Sequence, residues 1–198
     1  MINSEKNVLI LGIGNLLWAD EGFGVRAVLE LNQQWKFGSR VTLIDGGTQG
    51  LSLLPHVQAA DRLIVFDAID YGLPPGTLRV LRDDQVPRFM GAKKLSLHQT
   101  GFQDVLAIAQ LMGALPSEMV MIGVQPEDFE DYGADLRAVV RSQMQPALQV
   151  ALDSLLQWGL EAEPRGEFEE APALLPESLS LGLCRPMPQG AAFAPMLA

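Results

Sequence analysis

The chain has 198 residues, of which 48% are hydrophobic and 19% charged, and its formal net charge is −10. This length and composition predict one globular domain with a substantial core, and the acidic balance without a basic cluster argues against nucleic acid and anionic membranes as partners. No apolar run reaches the ~18 residues of a transmembrane helix, and the single cysteine, Cys184, leaves no internal disulfide, so we expect a cytoplasmic protein without membrane insertion.

The first predicted element is a strand over Asn7–Gly12, buried on both faces because its apolar run is unbroken. A glycine turn follows, and then a helix over Glu21–Trp35. This order opens a doubly wound α/β domain, whose ligands bind beyond the carboxyl ends of the strands. The turn departs from the dinucleotide pattern G-x-G-x-x-G, because Leu17 replaces the third glycine and the acids Asp20 and Glu21 follow.

The rest of the domain alternates short β-branched strands with helices of apolar spacing. The predicted elements are a strand Arg40–Ile44, a helix Gly50–Ala60, strands Leu63–Phe66 and Thr77–Leu81, a helix Thr100–Met112, a strand Met119–Val124 and a helix Asp135–Trp158 that is kinked or restarted near Pro146. Since no helix separates the third and fourth strands, the fourth is expected to run antiparallel at an edge. We therefore predict a three-layer α/β/α sandwich around a twisted five-stranded, mostly parallel sheet with one antiparallel edge strand.

The composition changes at Glu161. Six of the 13 prolines lie in residues 161–198, and no strand alternation or long helical pattern continues there. We predict a single domain over 1–160 and a proline-rich, acidic, flexible tail over 161–198, in preference to a second domain. The apolar residues of the tail leave open that it docks on the domain or on a partner.

Acidic residues follow three of the predicted parallel strands. Asp20 and Glu21 come after the first strand, Asp45 follows the second and Asp67 the third, while His98 opens the helix before the fifth. Because parallel strands present their carboxyl ends to one crevice, these residues are expected to converge there. Carboxylate and imidazole ligands suit zinc, nickel or a similar ion, and three protein ligands leave coordination positions open, as in a catalytic or substrate-sensing site.

Each of these residues also has a structural interpretation. Asp20 is interpreted first as a helix N-cap, Asp45 as a turn acid that bonds its own backbone, and Asp67 as an acid that caps a loop. The other histidine, His56, lies within a predicted helix and is assigned a structural role, and Asp70 is assigned to a solvated loop. The combination is therefore more specific than any one member.

Standard hydrolase signatures do not occur in the sequence. It contains neither G-x-S-x-G nor H-E-x-x-H. Cys184 lies in the predicted tail, away from both histidines. A serine or cysteine nucleophile is therefore not expected.

Four segments of the sequence resemble motifs of the hydrogenase maturation protease family. They are Gly12–Val25, Asp45–Gly50, Val65–Ala68 and Ser96–Gln99, and their order and spacing match across roughly Asn7–Leu160. The resemblance implies a twisted sheet between helices with one antiparallel edge strand. It also implies an endopeptidase that removes the C-terminal extension of the [NiFe] hydrogenase large-subunit precursor after nickel has been inserted.

The resemblance further implies that Glu21, Asp67 and His98 bind the nickel held by the precursor, and that zinc or cadmium can take its place. Two routes to cleavage remain open. In one, the metal acts as a Lewis acid or water activator, with Glu21 and Asp67 in the catalytic site. In the other, the metal serves only for recognition of the loaded precursor, and an acid such as Asp45 activates water.

Two other classes of function remain as alternatives. A non-enzymatic nickel-binding chaperone of hydrogenase assembly would bind metal through the same three residues without shortening any polypeptide. A dinucleotide-binding oxidoreductase would need a first turn that tolerates phosphate, which Leu17, Asp20 and Glu21 disfavour. The oligomeric state and the particular hydrogenase are not predicted.

Overall fold

Seven strands and six α-helices lie in the part of the chain that the computed structural model describes: residues 6–92, 97–129, 131–133, 135–166 and 168–174, with the backbone alone for 89–92 and 97–100. The strands are β1 (Val8–Ile13), β2 (Trp35–Phe37), β3 (Val41–Gly47), β4 (Arg62–Ala68), β5 (Leu78–Arg82), β6 (Glu118–Val124) and β7 (Ala162–Pro164). The helices are α1 (Phe23–Gln34), α2 (Leu54–Ala59), α3 (Gln85–Ala92), α4 (Leu97–Leu111), α5 (Ala138–Arg141) and α6 (Met144–Gln157). One-turn 3-10 helices, Asp20–Gly22 and Gly50–Leu53, precede α1 and α2. None of the helices described is long and apolar enough to cross a membrane.

Five of these strands form one sheet in the spatial order β3-β1-β4-β6-β5. The first four are mutually parallel, and β5 pairs antiparallel with β6 at the edge. A parallel pair needs a crossover connection, and the short link from β4 to β5 contains none in the described chain. The predicted five-stranded, mostly parallel sheet with an antiparallel edge strand is confirmed.

Helices cover both faces of this sheet. On one face, buried side chains of α1 and α6 such as Phe23 and Leu148 pack on the strands, and on the other face those of α2 and α4, such as Phe102, do so. Successive strand residues alternate between these faces, so Ile10 of β1 packs with α1 and Leu11 with α4. We call the two sides the α1 face and the α4 face. The predicted three-layer sandwich is confirmed.

The prolines of two predicted helices explain how those helices are divided. The structure separates α5 from α6, and Pro146 lies in the first turn of α6, where its missing N–H removes no helical hydrogen bond. The predicted helix Gly50–Ala60 begins as a 3-10 turn, and Pro55 lies in the first turn of α2. The restart near Pro146 agrees with the sequence prediction, whereas the segment predicted as one helix over Gly50–Ala60 is a 3-10 turn followed by α2.

Three short elements were not predicted. They are α3 and the pair β2 and β7, which form a separate two-stranded antiparallel ribbon. A three-residue strand is too short to show the alternation by which a strand is recognised. The ribbon joins the end of α1 to the segment that follows α6.

The segment 162–174 packs on the domain through specific hydrogen bonds. Arg165 Nε donates to the carbonyl oxygen of Asn32 at 3.1 Å, and Asn32 Nδ2 donates to the carbonyl oxygen of Pro172 at 2.7 Å. Leu174 is 8% exposed and belongs to the buried cluster of the α1 face. These residues are therefore part of the folded domain.

This finding differs from the predicted boundary, which placed residues 161–198 in a flexible tail outside the domain. The difference arises because side chains and backbone carbonyls, rather than a repeating apolar face, attach the segment, and composition does not reveal such contacts. The rest of the predicted tail, residues 175–198, lies outside the described residues, and its flexibility stays a prediction.

Candidate active site

Glycines place the first motif directly against the sheet. Gly14 has a φ of +133°, and a Cβ atom there would lie 1.9 Å from the carbonyl oxygen of Glu21. A Cβ atom at Gly24 would lie 2.2 Å from the carbonyl oxygens of Ile13 and Phe66. Only glycine permits these approaches, so α1 and the 3-10 turn before it lie against the ends of β1 and β4. The turn thereby brings Glu21 to the carboxyl edge of the sheet.

Asp67 is fully buried near the carboxyl end of β4. The preceding residue, Phe66, belongs to the cluster on the α1 face, so Asp67 points to the α4 face. The 3-10 turn that contains Glu21 contacts β4. The structure therefore brings Glu21 and Asp67 to the same edge of the sheet.

His98 is the second residue of α4, and the structure describes its backbone alone. The start of α4 lies at the same edge: a Cβ atom at Gly101 would lie 3.2 Å from the Cα atom of Gly50, in the 3-10 turn after β3. Side chains of α4 pack in the same buried cluster as those of β4. His98 thus begins the helix that covers the face to which Asp67 points.

No trio of His, Cys, Asp or Glu side chains is close enough to hold a metal ion among the residues whose side chains are described. The imidazole of His98 lies outside that set. The roles of Glu21, Asp67 and His98 as metal ligands therefore stay a prediction.

Asp45 lies at the same edge but on the other face. It is level with Gly12 of β1, which is level with Phe66 of β4, and Phe66 packs on the α1 face. Its side chain lines a pocket of about 250 Å³ together with Asn15. The carboxylate accepts the backbone N–H of Gly47, as expected of a turn acid, while partial burial raises its pKa.

The predicted convergence of the acids is therefore partial. Asp45 and Asp67 lie near the carboxyl ends of β3 and β4, on either side of β1. They point to opposite faces because Asp45 is level with Phe66, the residue before Asp67. The prediction treated every strand end as equivalent, whereas the register of strand pairing determines the face to which each acid points.

Asp20 is not the predicted helix N-cap. Its side chain is fully buried and accepts three backbone N–H groups from the loop after β6. Oδ2 accepts those of Glu127 and Asp128 at 2.9 and 3.1 Å, and Oδ1 accepts that of Arg137 at 2.7 Å. Asp20 therefore fastens the loop after β6 to the turn after β1. Its partners lie more than a hundred residues away in sequence, so no local pattern indicates them.

Further contacts join the same two loops. The rings of Trp18 and Tyr132 pack edge to face with centroids 5.4 Å apart. The backbone N–H of Gly133 donates to the carbonyl oxygen of Leu17 at 2.8 Å. Within the loop after β6, the guanidinium of Arg137 donates to the carboxylate of Asp131 at 2.6 Å. Leu17, in the loop after β1, is 54% exposed. The loops after β1 and β6, beside Glu21 at the carboxyl edge, are therefore held together and expose some apolar surface.

Two residues of the edge were missed by sequence reasoning. Gln125, directly after β6, accepts the backbone N–H of Tyr71 at 2.7 Å and that of Leu73 at 3.2 Å through Oε1. Tyr71 is buried, and its burial and the negative charge of Asp67 raise the pKa of its hydroxyl. Both residues make these contacts with parts of the chain that follow other strands, so the spacing of motifs in the sequence does not reveal them.

The sequence is similar to known hydrogenase maturation proteins. The family described as hydrogenase maturation protease matches residues 25–154. Over 183 residues the chain is 61% identical to the hydrogenase expression/formation protein HupM of Azotobacter chroococcum, which covers 92% of this chain and 86% of HupM. Over 159 residues it is 40% identical to the hydrogenase 2 maturation protease of Escherichia coli, covering 80% of this chain and 96% of that protein.

Solved structures show the same arrangement of sheet and helices. The hydrogenase maturating endopeptidase HybD from Escherichia coli has a TM-score of 0.76 and 39% identity, over 80% of this chain and 98% of HybD. The [NiFe] hydrogenase maturation protease HybD from Thermococcus kodakarensis has a TM-score of 0.62 and 26% identity, over 75% of this chain and 98% of that one. The likeness extends over nearly the whole length of both solved proteins.

Proposed function

Since the chain belongs to the hydrogenase maturation protease family and is a hydrogenase maturation endopeptidase, we propose that it removes the C-terminal extension of the [NiFe] hydrogenase large-subunit precursor. Cleavage follows nickel insertion, so the metal is part of the substrate. The single cysteine, Cys184, fits a reaction in the reducing cytoplasm. The proposed partner is the nickel-loaded precursor alone, without nucleic acid.

Glu21, Asp67 and His98 recognise the nickel in this proposal. The observation that supports it best is the full burial of Asp67 at the carboxyl edge, beside the turn that contains Glu21 and under the helix that His98 begins. Two carboxylates and an imidazole suit nickel, zinc or cadmium, and three ligands leave positions for groups of the precursor. A precursor without nickel does not complete this site and is therefore not cleaved.

Cleavage can proceed by two routes that involve opposite faces of the sheet edge. On the α4 face, the bound nickel polarises the scissile carbonyl or activates water, with Glu21 and Asp67 as its ligands. On the α1 face, Asp45 accepts a proton from water as a general base, a role that its raised pKa favours. The separation of Asp45 from Asp67 allows a single substitution to distinguish them.

Mass spectrometry of a purified large-subunit precursor tests the proposal. Incubation with the protein is expected to shorten the nickel-loaded precursor and to leave the nickel-depleted precursor intact. Asp45→Asn is expected to retain processing if the metal drives hydrolysis, and to lose it if Asp45 is the base. Binding of the precursor without any change of its mass would instead support a nickel-binding chaperone.

His98→Ala is expected to abolish processing, and His56→Ala provides its matched control. These are the two histidines of the chain. His56 lies in α2 and lines a pocket with Asn7 and Val8, at the amino end of β1. Processing lost equally in both variants would show that a general defect, rather than metal recognition, is being measured.

A further inference from the structure

We propose that Tyr71 is a positioning residue for Asp67, holding its carboxylate in place from within the sheet edge. The inference rests on the proposed function, because Asp67 is there a ligand of the nickel in the precursor. It goes beyond that function by assigning a role to a residue outside the four motifs.

The register of the strands places three residues in one row. Asp67 of β4 is level with Gly123 of β6, and Gly123 is level with Arg79 of β5. Level residues of paired strands point to the same face, so Asp67 and Arg79 flank a position that has no side chain. This gap lies directly beside the buried carboxylate.

The hydroxyl of Tyr71 fills this gap. A Cβ atom at Gly123 would lie 2.0 Å from the Tyr71 hydroxyl oxygen, so only glycine leaves room for it. Because Gly123 is level with Asp67, this contact places the hydroxyl beside the buried carboxylate. The pKa of Tyr71 is raised by burial and, to a smaller extent, by the negative charge of Asp67.

Tyr71 is itself fixed at three points. Its backbone N–H is bound by Gln125 at 2.7 Å, its ring lies under the guanidinium of Arg79, 5.4 Å from the ring centroid, and its hydroxyl occupies the space at Gly123. A group fixed in this way is preorganised to orient the carboxylate that it adjoins. Since Tyr71 is 8% exposed, it acts on the reaction through Asp67 and not by touching the precursor.

Tyr71→Phe removes the hydroxyl and keeps the ring, its contact with Arg79 and the backbone. We expect kcat/KM for the nickel-loaded precursor to fall roughly 10- to 100-fold, as for outer contacts of metal ligands, with the melting temperature unchanged. Tyr132→Phe is the matched control, since it removes the hydroxyl of the other tyrosine, which is 66% exposed, and it is expected to process at the wild-type rate.

A second pair of variants separates positioning from space filling. Gly123→Ala pushes against the hydroxyl and is expected to lower both melting temperature and processing. Combining it with Tyr71→Phe removes the clashing oxygen, so we expect melting temperature to recover in part while processing stays low. Wild-type processing by Tyr71→Phe, or recovery of processing in the double variant, would overturn the proposal.

A failure of the proposed function gives a different result. If the wild type does not shorten the nickel-loaded precursor, the role of Tyr71 is tested by measuring the affinity for cadmium by calorimetry, without the precursor. Tyr71→Phe is then expected to bind cadmium about 10-fold more weakly than the wild type, and Tyr132→Phe equally well. Equal cadmium affinities in all three proteins would overturn the role of Tyr71.

Discussion

Asp20 and Asp67 are both fully buried at the carboxyl edge of the same sheet, yet their surroundings differ. The carboxylate of Asp20 accepts three backbone N–H groups from the loop after β6. Asp67 instead lies in a row with the side chains of Tyr71 and Arg79, beside the turn that contains Glu21. Burial alone therefore does not distinguish an acid that holds a loop in place from one that we propose as a metal ligand.

The largest effect that this comparison predicts is that of Asp67→Asn on processing. The substitution keeps the size of the side chain but removes the charge that the proposed nickel ligand needs. We expect processing of the nickel-loaded precursor to fall by more than the roughly 100-fold that loss of an outer contact causes, with little change in melting temperature. Product mass and thermal melting measure the two quantities. Normal processing by the variant would exclude Asp67 as a required ligand.

Asp20→Ala should affect the stability of the protein more than its processing activity. Three backbone donors lose a charged acceptor inside the protein, so we expect the free energy of unfolding to fall by about 3 kcal/mol or more. Urea denaturation measures the loss. Asp84→Ala is the control, because Asp84 is exposed and pairs with Arg88, four residues later, at the surface, and its effect should be about 0.5 kcal/mol or less. An equally small loss at Asp20 would remove the distinction between the two buried acids.

A smaller effect is expected from the segment 162–174, which packs beside α1 and β3 and reaches Asp45 through Leu174. A chain that ends at Leu174 should unfold like the whole protein, whereas one that ends at Glu161 loses the burial of Leu174 and the hydrogen bonds of Arg165. We expect the shorter chain to be less stable by about 2 kcal/mol. Urea denaturation of both chains measures this. Equal stability would restore the boundary predicted near residue 160.

The smallest expected effect is that of Asp45→Asn on stability. Asp45 is only partly buried, unlike Asp20 and Asp67. Partial burial raises its pKa above the usual 3.8, so the ionised carboxylate costs stability at neutral pH, and this cost disappears as the pH falls below the unfolded value. Asp45→Asn removes the charge and is expected to be slightly more stable than the wild type at pH 7. The difference should vanish below pH 3.8. A constant difference across this range would show that the charge of Asp45 is not its cause.

The sequence predicted the sheet and its helices because buried strands and amphipathic helices have strong periods. It also predicted the antiparallel edge strand, since the link from β4 to β5 is too short for a crossover. It did not predict β2 and β7, which are three residues each, or the attachment of Leu174. Those features depend on contacts between residues distant in the chain.

The sequence predicted where the candidate residues lie in the fold but not the directions in which their side chains point. The motifs located Glu21, Asp45, Asp67 and His98 at one edge, whereas the opposite orientations of Asp45 and Asp67 follow from strand register alone. Asp20 was misassigned because its carboxylate accepts hydrogen bonds from a loop more than a hundred residues later in the chain. Local spacing indicates which chemistry is present, and pairing decides how it is arranged.

The positions of residue 6 and Leu174, the first and last described residues, relative to the sheet have a practical consequence. Residue 6 lies just before the amino end of β1, at the edge opposite to the candidate site. Leu174, by contrast, accepts the backbone N–H of Asp45 at 3.4 Å through its carbonyl oxygen. A purification tag or fluorescent label placed ahead of residue 6 therefore starts at the remote edge, while one attached directly after Leu174 starts beside Asp45. Immobilisation through the amino end leaves the carboxyl edge facing solution, where a large precursor can reach it.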